Sequence, residues 1–426
     1  MELLKEEIKI EEITIKENNQ DIKLYYCHNN KFKTFYTRCV FLFDFDDKKK
    51  PIYSVLSYLL ERSTQVHPNE DQFQTYLCNL YNMMASVGFG TKGLNNQFTF
   101  TAGSINSKYV TEGINLFDAS LDVLEELMTK PNFDEEIFEE IKLSLVQKVK
   151  LNQNSKIKVA YYDFFDNMFK DEIYNKFYIR DPEVYNKITL DDVKEAYYNL
   201  MNMEHFYIYI GEDSLDTVVE GLKRFNFANK LKSKHQYLDY ETKEIKEPTV
   251  IVKDFDVNQS NLFIGYRTPI LLDNDDYYAM FIFNQMLGAS YNSDLYNIVR
   301  EEHGLVYSIS SSYPSMKGTV IIECGISKNN YEKTINLINE IITSYQKGDI
   351  SEEKLDIAKK ETISGVKKGI DSINQLVGDA MNYGVRGSIK TAQELIDKVN
   401  SISIEDIKRV ANTLVLDTTY FMRGNK

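Results

Sequence analysis

TFTAGSINSKYVTEGINLF (residues 99–117) and IIECGISKNNYEKTINLIN (321–339) run in step, with Gly103 facing Gly325 and Tyr109 facing Tyr331 at a single offset of 222 residues. The blocks that follow keep the same order. FDEEIFEEIKLSLVQKV (133–149) parallels ISEEKLDIAKKETISGV (350–366), and ITLDDVKEAYYNLMNMEHFYIYIGE (188–212) parallels ISIEDIKRVANTLVLDTTYFMRGN (402–425). A recurrence over about 220 residues far exceeds the roughly 20–45-residue period of a solenoid and points to two homologous domains in tandem.

Local patterns give those domains their class. FKTFYTRCVFLFDF (32–45) and SNLFIGYRTPI (260–270) are rich in β-branched and aromatic residues and are expected as strands. VTEGINLFDASLDVLEELM (110–128) spaces its apolar residues by three and four and stops short of Pro131, which predicts an amphipathic helix. ITLDDV and ISIEDI each set a hydroxyl residue three places ahead of an acid, a helix-start signature. Strands mixed with pairs of long helices predict an α+β fold, two tandem domains each with an antiparallel sheet packed against helices. The expected division is 1–228 for the first repeat, 229–249 for a polar linker (NKLKSKHQYLDYETKEIKEPT), and 250–426 for the second repeat.

The chain of 426 residues carries a formal charge of −14, which argues against a nucleic-acid-binding surface and against anionic membranes. Its start, MELLKEEIKIEEITIKENN, is charged throughout, and no stretch approaches the roughly 18 apolar residues of a membrane span. The expected location is therefore cytoplasmic. Cys27, Cys39, Cys78 and Cys324 lie far apart with no CxxC pair, which fits buried structural thiols better than a disulfide frame or a zinc knuckle. His28, His67, His205, His235 and His303 form no HxxxH or HxxE pair on an apolar helix and are expected at the surface. Glu61, Glu139 and Glu140 can approach one another across helices, but carboxylates on helical faces usually meet water.

PIYSVLSYLLERST (51–64) is an apolar helix that follows the first-repeat strand where YYAMFIFNQMLGASYNS (277–293) follows the second-repeat one. Here the chain resembles the insulinase and pitrilysin (M16) family of inverted zincins, whose catalytic members carry His-x-x-Glu-His on this helix before a Gly-Thr step. With Ser63-Thr64 on that step, the resemblance puts Ser54 and Tyr58 at the metal-binding histidines, Ser57 at the general-base glutamate, and Ile141 near the last metal ligand. None of the four is a zinc donor. Catalytic zinc needs three imidazole or carboxylate ligands, protonated hydroxyls are poor substitutes, and the binding energy to be supplied is on the order of 10 kcal/mol. Ser54 and Ser57 also lack a His, Lys or Asp at helical spacing to activate them as nucleophiles. Hydroxyls bonded to backbone carbonyls are the expected arrangement.

SDLYNIVREEHGLVYSISSSYP (293–314) places Leu295, Ile298 and Val299 on the inner side of a helix that stops at Gly304 and gives way to a strand. In the metal-free half of M16 proteins, a segment Leu-x-x-x-Val-Arg-Glu-x-x-Gly-Leu-x-Tyr-Ser is matched by Leu295, Val299, Arg300, Glu301, Gly304, Leu305, Tyr307 and Ser308. The resemblance implies a LuxS/MPP-like metallopeptidase fold, with Arg300 and Tyr307 reaching toward a bound peptide. It further implies a non-catalytic subunit, with no cofactor of its own, whose partner is a zinc-bearing M16-type homologue. A guanidinium fork suits substrate carbonyls, and a phenol suits an oxygen that becomes negative. A strand around Ala85 to Thr91, or QFTFTA (97–102), is a further candidate to hold an extended peptide by edge addition. The alternative is a non-proteolytic peptide-binding or scaffold protein, as a single chain or a homodimer; an autonomous peptidase would require a metal that these residues do not hold.

Overall fold

Hydrophobic alternation and aromatic content become two sheets. The computed structural model describes residues 9–17, 20–111, 113–225, 237–239, 243–386 and 391–425. Strands β1 (Glu11–Glu17), β2 (Gln20–His28), β3 (Thr34–Asp44), β4 (Met84–Lys92), β5 (Asn95–Ile105) and β6 (His205–Gly211) form one sheet in the order β1-β2-β6-β3-β5-β4. Strands β7 (Thr249–Phe255), β8 (Ser260–Arg267), β9 (Val306–Ser312), β10 (Thr319–Ile326) and β11 (Val415–Gly424) form the other, in the order β7-β11-β8-β10-β9. Without β1 the two orders coincide. Gly103 pairs with Tyr36 and Met84 as Gly325 pairs with Asn261 and Ser308, so the glycines that align in sequence stand on equivalent rungs.

The sheets are not purely antiparallel. β2 runs parallel to β6 and β7 parallel to β11, because strands far apart in sequence need no hairpin between them. Both predicted capping boxes are present, at Thr189 with Asp192 and at Ser403 with Asp406. The helix expected over 110–128 starts later, at Leu116–Thr129. Gly113 takes a left-handed φ of 68°, and the Asn115 side chain accepts from the Asp118 amide at 3.2 Å, so the first turn forms only there.

The compact units do not follow one cut in the sequence. One comprises Met1–Val149, Asp181–Tyr237 and Gly369–Thr391; the other comprises Lys150–Arg180, Leu238–Lys368 and Ala392–Lys426. The linker expected at 229–249 falls largely outside the described residues, and Thr249 already begins β7. The reason for the interleaving is burial. In the first unit, one face of β3 meets the helices Lys50–Arg62 and Leu116–Thr129, with Phe43 on Tyr53 at 4.7 Å and Phe35 on Phe117 at 5.9 Å. Its other face, through Val40 and Leu42, shares a core with Leu376, Val377, Ala380 and Met381 of the helix Ile373–Arg386. In the second unit, the helix Lys156–Met168 sets Phe164 against Phe263 of β8 at 5.7 Å. A Cβ on Gly265 would come within 2.5 Å of the Met168 sulfur, so a glycine there lets this helix approach.

An ion cluster ties down the end of that helix. Arg267 on β8 is largely buried; its Nε donates to Asp417 on β11 at 2.7 Å, and Nη1 and Nη2 donate to the two Glu172 oxygens at 2.9 and 2.7 Å. Burial alone lowers the Arg267 pKa, and the two carboxylates more than reverse that. Nearby, the Lys317 ammonium lies between 4.7 and 5.5 Å from the ring centres of Phe165, Phe169, Tyr174 and Phe177, a four-ring cation cage within the same unit.

Two surface expectations change. His205, at the start of β6, is 3 % exposed, and burial lowers its pKa to about 4. His67 is also drawn inward, as described below. Cys27, Cys39 and Cys324 are buried thiols, but Cys78 is exposed. Among the described residues no helix is long and apolar enough to cross a membrane.

Two predictions follow from these contacts. Arg267→Met leaves the buried Asp417 without a cation and Glu172 with only Lys243, at 3.8 Å, and is expected to destabilise the chain by about 3–5 kcal/mol in chemical denaturation; adding Glu172→Gln and Asp417→Asn should recover much of that loss. His205 binds its proton more weakly folded than unfolded, so its contribution is complete above pH 6.5 and is lost as pH falls toward 4. By linkage the loss at pH 5 is about 2 kcal/mol. Thermal unfolding of wild type and His205→Phe between pH 7 and 4.5 should show the shallower acid slope in the variant.

Candidate functional site

The helix Lys50–Arg62 forms because Pro51 suits a first turn and Tyr53, Val55, Leu56, Leu59 and Leu60 give it an apolar stripe, all buried. Ser54, Ser57 and Tyr58 sit beside that stripe. Ser57 is 5 % exposed and donates to the Ser54 carbonyl at 2.9 Å, the backbone bond expected of a hydroxyl inside a helix. Ser54 is half-buried and hydrogen-bonds the phenol of buried Tyr185, whose pKa is raised first by burial and further by Tyr58, with the Ser54 bond opposing. Tyr58 is exposed, and Ile141, on the helix Glu135–Asn154, is buried. These four positions offer two alcohols, a phenol and an alkyl group. That donor set does not fit zinc, and no step of metal chemistry can be derived for it.

The surrounding acids are engaged elsewhere. Glu140 accepts from Arg62 at 2.8 Å, Glu139 accepts from Lys142 at 2.9 Å, and burial raises the Glu61 carboxyl. Among the described residues no group of three or more His, Cys, Asp or Glu is arranged to hold a metal.

One constellation was missed from sequence. Glu126, on the apolar side of the helix Leu116–Thr129, is 6 % exposed; it accepts from the Thr64 hydroxyl and lies 2.6 Å from His67 Nδ1. The His67 amide donates to Thr64 Oγ1 at 2.9 Å, and Tyr76 stacks on the imidazole with ring centres 4.5 Å apart. The cluster clamps the turn that leaves the site helix. Its only sequence signal is an acid within the apolar run LDVLEELM, and one imidazole with one carboxylate falls short of a metal site.

The second unit brings Arg300 and Tyr307 together. The helical segment Leu295–Glu302 buries Leu295 and Val299, and its backbone bonds widen, with the His303 amide reaching the Ile298 carbonyl at 3.1 Å. Gly304, at φ 59°, turns the chain into β9. The start of the segment is held by buried Asp294, which accepts from Tyr345 at 2.6 Å and pairs with Lys354. On β9, Ser308 pairs with Gly325 but Val306 pairs with Ile326, so Tyr307 is the extra residue of a bulge. Arg300 Nε donates to the freed Tyr307 carbonyl at 3.1 Å; Nη1 reaches the Tyr296 hydroxyl and lies 3.2 Å from Glu301. The Tyr307 ring is 64 % exposed on the strand that edges its sheet.

The peptide-edge candidates separate. Among the described residues β4, containing Ala85 to Thr91, is an edge strand with its Val87 amide bonded to Glu61, whereas QFTFTA lies in β5, which is paired on both sides by β3 and β4 and has no edge to offer.

Residues 187–362 match the model of the Peptidase M16 inactive domain. A probable inactive metalloprotease, YmfF of Bacillus subtilis, is 25 % identical over 378 residues, 88 % of this chain and 89 % of that one. A non-peptidase homologue, YmxG of Helicobacter pylori, is 22 % identical over 84 % of this chain and 86 % of its own. In fold alone, a conserved protein from Enterococcus faecalis superposes with a TM-score of 0.87 at 21 % identity, covering 95 % of this chain and 96 % of its own. A peptidase M16 inactive domain from Pseudomonas fluorescens superposes with 0.80 at 16 % identity, covering 98 % of both chains. With this fold, with residues 187–362 matching an inactive M16 domain and with hydroxyl and alkyl side chains at the site helix, the chain is similar to inactive homologues of the M16 peptidases.

Proposed function

We propose that this chain is the non-catalytic subunit of a two-chain metallopeptidase, binding peptide with Arg300 and Tyr307 while a zinc-bearing homologue supplies the metal. The observation that carries this is the bulge at Tyr307. It places a phenol on the exposed side of an edge strand with no hydrogen-bond partner among the described residues, and Arg300 fixes the backbone beneath it. A chain built only for packing gains little from a solvent-facing phenol held by a helix anchored on a buried carboxylate. The Arg300 Nη2 is left to donate to a peptide carbonyl, and the phenol to an oxygen that gains charge. The isolated chain lacks the donors for hydrolysis, so the activity belongs to the pair.

The test mixes the purified chain with a homologue bearing His-x-x-Glu-His on its first-repeat helix and follows cleavage of a fluorogenic peptide. Cleavage is expected only in the mixture. Tyr307→Phe should lower kcat by about 100-fold, and Arg300→Ala by a similar factor, with the zinc content of the partner unchanged. Full activity of both variants would favour the scaffold alternative, and chelator-sensitive cleavage by the isolated chain would overturn the proposal.

A further inference from the structure

The arginines of this acidic chain are almost all neutralised. Of the eight whose side chains are described, seven have a carboxylate in ion-pair range. Arg38 is the exception. It lies on β3, half-buried, where Nε donates to Thr101 Oγ1 at 2.9 Å, Nη1 faces the Met381 sulfur at 3.1 Å, and the guanidinium stands 5.9 Å from the Tyr36 ring centre. All three neighbours are neutral, and burial lowers the guanidinium pKa. A partly desolvated cation with no counter-ion among the described residues weakens a fold. In a chain of charge −14, a nearby acid would have been easy to place.

The strand residues around Arg38 are small and polar. On this face of the sheet, Val40 and Leu42 are covered by the helix Ile373–Arg386, while Tyr36 and Arg38 are left half-buried. The cross-strand partners on the same face are Thr101 on β5 and Ser86 on β4, with Thr99 and Gly88 on the next rung. Ser86, Gly88 and Thr99 are also half-buried, and none carries a bulky side chain. The result is a run of hydroxyl-bearing positions beside one positive charge, with Thr101 Oγ1 held by Arg38 and Thr99 bonded to the Gly88 carbonyl. One guanidinium among neutral hydroxyls balances one negative charge; a phosphate dianion would call for further cations.

We propose that the face of the first sheet around Arg38, bordered by Ser86, Thr99 and Thr101, binds a carboxylate of a peptide, with the Arg38 guanidinium forked onto its two oxygens. The choice of a peptide as the carrier rests on the function proposed above; the carboxylate rests on Arg38. The carboxylate is either an acidic side chain or a peptide C-terminus, and the experiment separates the two.

Fluorescence anisotropy is measured on the isolated full chain with a labelled neutral peptide ending in an amide, with the same peptide carrying Glu in place of Gln, and with the neutral peptide carrying a free C-terminus. At low salt one or both carboxylate-bearing forms are expected to bind about tenfold more tightly than the neutral amide. Arg38→Gln should abolish that preference and leave the neutral amide unchanged. Because Gln sheds an unpaired charge while still able to donate to Thr101, its unfolding midpoint should equal or exceed that of wild type. Equal binding of all three peptides, a preference that survives Arg38→Gln, or a lowered midpoint in the variant would each overturn the assignment. Binding without a carboxylate preference would leave peptide recognition standing, whereas failure of every peptide to bind would remove that as well.

Discussion

A sheet that is apolar on both faces must be covered twice, and this requirement shapes the whole molecule. Each repeat of the sequence provides helices for one face of its sheet, yet β3 and β8 also carry side chains on the other face that water would oppose. The second cover comes from the helix Ile373–Arg386 in one unit and from the helix Lys156–Met168 in the other. Arg267 then keys the second of these in place. It bonds the Met168 carbonyl as well as Glu172 and Asp417, so the end of the helix, the turn after it and two strands share one buried charge cluster. Such a cluster adds little net stability over an apolar substitute, but it accepts only one arrangement of its partners.

This explains how far the sequence could be read. The repeat, the strands at 34–44 and 260–267 and both capping boxes rest on local chemistry, and local chemistry is legible. The interleaving is not, since an amphipathic pattern reveals that a helix has an apolar face without naming the sheet that receives it. At the candidate site the same division holds. Hydroxyls in place of metal donors could be read from residue types. The bulge that exposes Tyr307 could not, because it depends on how β9 registers with Gly325 and Ile326. His205 and His67 were expected at the surface because nothing within a few residues marks them as buried; His205 enters the core at the start of a central strand, and His67 is drawn in by Glu126 from a helix some sixty residues away.

Loss of metal donors from the first unit leaves its packing intact. The helix Lys50–Arg62 is held by Tyr53, Leu56 and their neighbours, and its hydroxyls find partners in the Ser54 carbonyl and in Tyr185. The one carboxylate on that helix, Glu61, is half-buried and accepts from the Val87 amide, and the helix carries no imidazole. A site that had merely lost its metal would leave such groups unpaired, and buried unpaired ligands are costly. The residues here instead form an apolar and alcohol-lined helix whose serine hydroxyls are bonded within the protein.

The polar features that the fold does not need lie elsewhere, and they share a physical character. Among the described residues, Tyr307 is a solvent-facing phenol on a sheet edge with no protein partner, and Arg38 is a cation on a sheet face with no carboxylate in ion-pair range. Neither is explained by stability: a bulge interrupts a ladder, and a desolvated charge without a partner opposes burial. Both stand on strands whose backbones are fixed by pairing and by a well-packed core, which is where a binding group must sit if it is to be held in place before its ligand arrives. Polar groups held in this way on well-packed strands are the features on which the proposed peptide recognition rests.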